Sequence, residues 1–160
     1  HTVSLCGRQQ NGHRICPCPG EQIGADGFPV IAHQATTTNN LYLYKCNNRE
    51  CSSGTNTEVA TVGAGIAANV QVIIAQDGTP RILYHKDYLV NDRQTYRLYK
   101  CANTTCSSGT ETIVASSTLL GAGLYNSMLL NRNGYPIISY WVAAGIGWLF
   151  STVGDWITIR

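Results

Sequence analysis

Hydrophobic and polar residues alternate in short runs along this chain, with a period near two and no sustained helical stripe. The runs are rich in β-branched and aromatic residues and are broken by Gly, Pro, Asn, Asp and Ser, so they predict strands and no long helix. In the middle of the chain they fall at 69–76, 81–86, 95–100 and 111–116. Similar sets of four occupy 21–25, 29–34, 41–45 and 57–61, and then 125–131, 136–141, 147–152 and 156–160. Residues 1–6 offer one further short strand.

The sets are copies of one unit. Leu43-Tyr44-Lys45-Cys46 and Cys51-Ser52-Ser53-Gly54-Thr55 recur as Leu98-Tyr99-Lys100-Cys101 and Cys106-Ser107-Ser108-Gly109-Thr110. Ahead of them stand Asp26-Gly27-Phe28-Pro29, Asp77-Gly78-Thr79-Pro80 and Asn133-Gly134-Tyr135-Pro136. At each, Gly supplies a positive φ for the turn and Pro opens the next strand. Three repeats, at about 21–68, 69–124 and 125–160, then make one domain behind an N-terminal cysteine-containing segment, 1–20. The fold expected is all-β: about three four-stranded antiparallel propeller-like blades with disulfide-clipped hairpins. The third copy lacks the cysteine loop, and a tight turn at Val153-Gly154-Asp155 takes its place.

Charged residues make up only 12% of the chain, and the formal net charge is +2. With no basic cluster, nothing points to nucleic acid. Weak self-repulsion also eases association with like copies. Residues 136–154 carry no charge over a length close to a membrane span, but their Gly, Ser and Thr content and their alignment with the other copies favour strands.

Seven cysteines indicate an oxidising, extracellular setting. The spacing of Cys46 and Cys51, repeated at Cys101 and Cys106, fits a disulfide across each hairpin loop. Each small ring constrains the unfolded chain by only about 2 kcal/mol, so its main effect is to fix strand register. Cys6, Cys16 and Cys18 are left over; being odd in number, they are candidates for an N-terminal or intermolecular bridge. The competing explanation is zinc at Cys16-Pro17-Cys18 with Cys6 and His13, but the chain has no CxxC pair, and no resident metal or cofactor is expected.

Chemistry is sparse. Asp26, Asp77 and Asp155 sit in turns, where backbone geometry explains them, and Glu58 and Glu111 fall at different offsets, giving no repeated acid pair for glycoside hydrolysis. No catalytic residue is assigned. His1 offers an amine and an imidazole that could chelate copper with His13, His33 or His85, which makes a copper enzyme the remote alternative. Trp141, Trp148 and Trp156 all lie in the last repeat and are candidates for subunit contact or for stacking on neutral glycans. Asn103-Thr104-Thr105 is an N-glycosylation sequon at a hairpin tip.

Tyr125-Asn126-Ser127, Asn133-Gly134-Tyr135-Pro136 and Ile138-Ser139-Tyr140, with the Cys-x4-Cys-Ser-Ser-Gly-Thr hairpins of the other copies, resemble tandem repeats of secreted bacterial proteins. The resemblance covers about 21–160. It implies an extracellular, propeller-like, non-catalytic module. Such proteins usually carry more copies than are found here, and closed propellers use about four to eight blades. The expectation is therefore a secreted structural protein whose open sheet edges pair with other copies into a filament or surface layer. A glycan-binding lectin or adhesion module is the alternative.

Overall fold

The computed structural model describes residues 20–35, 37–61, 67–88, 93–117, 126–142, 145–152 and 155–159, with side chains left aside at 67–69, 87–88, 93–94, 115–117, 140–142, 145–152 and 155–159. Twelve strands account for most of them. The first sheet holds β1 (Gly20–Ile23), β2 (Pro29–Gln34), β3 (Leu41–Cys46) and β4 (Gly54–Ala60). The second holds β5 (Ala67–Ile74), β6 (Pro80–Tyr88), β7 (Arg93–Cys101) and β8 (Gly109–Ser117). The third holds β9 (Asn126–Leu130), β10 (Pro136–Val142), β11 (Gly145–Thr152) and β12 (Asp155–Ile159). Each sheet is an antiparallel four-stranded meander in chain order. The uncharged stretch after Pro136 forms β10 and β11, and among the described residues no helix is long and apolar enough to cross a membrane.

The turns follow from the Asp-Gly and Asn-Gly signals. Gly27, Gly78 and Gly134 have φ of 80°, 79° and 80°. Gly27 N–H donates to Gly24 O at 2.9 Å while Gly24 N–H donates to Phe28 O at 2.8 Å, so a type I turn ends on a left-handed glycine. The same pair of bonds closes the turns at Ala75–Thr79 and Asn131–Tyr135. Pro29, Pro80 and Pro136 each open the following strand. β4 and β8 start at Gly54 and Gly109, earlier than the sequence reading put them, because the cysteine loops are tight and pairing resumes at once.

Alternation along the strands gives every sheet two faces, and the faces stack in a fixed direction. One face of the first sheet (Val30, Ala32, Leu41, Leu43 and Val59) packs on Val70, Val72, Ile82 and Tyr84 of the second. The other face of the second sheet (Leu83, Tyr96, Leu98 and Val114) packs on Met128 and Ile138 of the third. The face turned toward the next sheet is called forward below, and the opposite one rear. Sheets approach closest along their first strands, with β5 against β1, β2 and β9. Gly20 permits this, because a Cβ there would lie 2.5 Å from the Val72 backbone nitrogen.

Candidate functional site

The Asp-Gly turns and the cysteine loops emerge at the same end of each sheet, since Val30 pairs with Lys45 and Arg81 with Lys100. Both expected disulfides form, Cys46–Cys51 and Cys101–Cys106. The two loops are built alike. Asn48 Nδ2–H donates to Ser52 Oγ at 2.8 Å and Asn48 Oδ1 accepts from Ser52 N–H at 3.0 Å; Asn103 and Ser107 repeat this at 2.7 and 3.1 Å. Cys51 and Cys106 take positive φ of 53° and 57°. Asn103, the sequon residue, thus has a structural task that Asn48 performs without a sequon, and its Nδ2 already faces a partner. Below each loop a tyrosine ring covers a glycine: a Cβ on Gly54 or Gly109 would come within 2.5 Å of Tyr44 or 2.4 Å of Tyr99.

A cavity of about 370 Å³ opens between the first turn, the second turn and the second loop, lined by Gly24, Ala25, Asp26, Lys45, Gly78 and Thr104 among others. In its lining Lys45 Nζ pairs with Asp26, at 3.0 Å to Oδ1 and 2.8 Å to Oδ2, and the same ammonium donates to Cys46 O at 3.0 Å. The ammonium also lies 5.2 Å from the Phe28 ring centroid. The Lys45 hydrogen bond is the main reason the Asp26 carboxyl titrates below its usual range. In the second copy the carboxylate finds another cation. Asp77 Oδ1 accepts from Thr79 N–H at 2.9 Å and Oγ–H at 2.6 Å, Oδ2 pairs with Arg81 at 3.0 Å, and its pKa falls to about 2.

The rear faces carry polar clusters. On the first, His33 stacks on Tyr42 at 5.8 Å between centroids and its Nε2 meets Asn56 Oδ1 at 3.2 Å. Tyr42 O–H donates to Glu58 at 2.8 Å, with Thr61 and Asn40 as further donors. These bonds lower the Glu58 pKa, and the carboxylate in turn raises that of Tyr42. On the second, Tyr84 O–H and Arg97 both donate to Glu111. Glu58 and Glu111 therefore serve unlike clusters, and each carboxylate is engaged within its own sheet.

His33 and His85, one position apart relative to the preceding proline, point to opposite faces of their sheets; His85 is buried beside Tyr96, with ring centroids 5.5 Å apart. Among the described residues no group of three or more His, Cys, Asp or Glu side chains gathers as a metal site. His1, His13, Cys6, Cys16 and Cys18 lie outside the described residues, as do Val153 and Gly154. For Trp141, Trp148 and Trp156 only strand positions are described: Trp148 pairs with Ser139 and Ile159, Trp141 with Ile146 and Trp156 with Ser151. Trp141 and Trp148 share one register parity and Trp156 has the other, so the three do not form one row.

Sequence reasoning did not anticipate the asparagine brace of the loops, the tyrosine-covered glycines or the Lys45–Asp26 pair. All three were signalled only as repeated letters around the cysteines. No protein-family model matches the chain, and neither a curated protein nor a solved structure shows significant similarity to it.

Proposed function

We propose that this chain is a secreted, non-enzymatic structural protein whose three sheets form an open, propeller-like arc and whose copies assemble into an extracellular filament or surface layer. The observation that carries the reading is the directional stacking of the sheets, forward face on rear face at both internal contacts. A stack of this kind ends with one face of each kind, and an arc of three falls short of the about four to eight blades of a closed ring. Among the described residues no strand pairs with the outer edges of β4, β8 and β12, which gives a further route to contact.

Other features fit. Two disulfides suit an oxidising compartment. A charged fraction of 12% leaves little repulsion between copies. Asp26, Asp77, Glu58 and Glu111 are bonded to neighbouring side chains in ways that brace turns and sheet faces, which supports a structural role for them. Sedimentation velocity over a wide concentration range, without reductant, tests the proposal. Species heavier than one chain should appear and grow with concentration; a single one-chain species at every concentration would overturn it.

A further inference from the structure

We infer that the cavity between the first two Asp-Gly turns and the second cysteine loop binds a neutral sugar. The site lies within one chain and does not depend on assembly. Its volume, about 370 Å³, is within the roughly 300–1,000 Å³ of small-molecule sites.

Comparison of the repeats shows why a cavity stands at this contact. Ala25, Gln76 and Arg132 hold the same place, just before Asp26-Gly27, Asp77-Gly78 and Asn133-Gly134. Between the second and third turns Gln76 reaches across, its Nε2–H donating to Arg132 O at 3.3 Å. Ala25 has only a methyl group to offer toward the second turn, where it lies beside Gly78. The gap that Gln76 bridges at one contact is left open at the other. Thr104 of the second cysteine loop lines it as well, and the third repeat has no such loop. Lys45 makes the last difference. Its side chain is 8% exposed and folded onto Asp26, whereas Lys100 is open to solvent and Asp77 pairs with Arg81.

The chemistry of the lining selects the ligand. Lys45 and Asp26 neutralise each other, so neither an anion nor a cation finds a net counter-charge in them. Polar capacity remains. The Asp26 side chain is 47% exposed, so its carboxylate can accept from a ligand as well as from Lys45 and Phe28 N–H. Among the described residues no hydrogen bond occupies the Ala25 N–H, the Ala25 carbonyl or the Thr104 hydroxyl. Val30 adds an apolar side chain to the lining. Acceptors, a donor and a hydroxyl around a neutral pair suit a carbon ring bearing several hydroxyls, each of which donates and accepts at once.

Saturation-transfer difference NMR tests the site, with the methyl glycosides of glucose, galactose, mannose and N-acetylglucosamine as probes and methyl glucuronide as the charged control. At least one neutral glycoside should give a saturable signal and the glucuronide none. Ala25→Gln, which installs the side chain of the matched turn, should abolish that signal, with circular dichroism verifying the sheets. Thr104→Ala should weaken binding by about three- to tenfold. Free sugars run in parallel separate two sources: binding of methyl glycosides marks the end of a glycan, and binding of a free sugar alone marks a monosaccharide. No signal from any neutral sugar would overturn the inference. So would equal binding of the glucuronide, or binding that Ala25→Gln and Thr104→Ala leave unchanged, which would put the sugar elsewhere on the chain.

Discussion

Lys45 and Lys100 are matched residues in two nearly identical segments, yet their surroundings differ. Lys45 is 6% exposed, bound to Asp26 and the Cys46 carbonyl, whereas Lys100 is open to solvent because Arg81 has taken Asp77. Asp26 is half open, so the ion pair itself adds little and most of the value of Lys45 lies in its packed stem. Lys45→Ala should lower stability by about 1–2 kcal/mol and Lys100→Ala by less than about 0.5 kcal/mol, read from urea unfolding midpoints. Asp77 gives a pH signature. Its folded pKa of about 2 lies below the ordinary 3.8, so its stabilisation is complete above that ordinary value and is lost as pH falls toward the folded one. Unfolding midpoints measured between pH 5 and about 2 should drop less steeply for Asp77→Asn than for the unaltered chain. An equal slope would show that the carboxylate is not held by Thr79 and Arg81.

At the scale of the element, the two disulfide hairpins share loop geometry but not environment. Cys101 and Cys106 both belong to the core between the first and second sheets, while in the first sheet only Cys46 is fully buried. Replacing either pair by serine removes about 2 kcal/mol of loop constraint, and the second pair also leaves polar groups in an apolar contact. Chemical denaturation should therefore show a larger loss for Cys101→Ser/Cys106→Ser than for Cys46→Ser/Cys51→Ser. Gly20→Val should cost more still, since its side chain would strike the β5 backbone; weakened protection of β1 and β5 amides in hydrogen exchange is the readout. Strand positions and turns were legible in the sequence because period-two alternation and Asp-Gly-x-Pro are local signals. The order in which faces stack was not: alternation says that Val30 and Ile31 face opposite ways, but not which neighbouring sheet covers either. The starts of β4 and β8 were hidden for a similar reason, their polar outer-strand residues reading as loop.

Across the whole molecule, three sheets repeat one contact, and the repeat decides which surfaces remain. A unit with a forward and a rear face cannot satisfy both alone, so stability rises with each neighbour added, and the terminal units are where sequence has room to change. In the third sheet Phe150 stands at the register position of Lys45 and Lys100, and Ile157 at that of Thr55 and Thr110. A photoreactive diazirine side chain placed at position 129, in a mixture of isotopically light and heavy chains, measures the contact directly. Mass spectrometry of the irradiated sample should find light–heavy adducts, the mark of contact between copies. Adducts confined to residues of the same chain would contradict the assembly account.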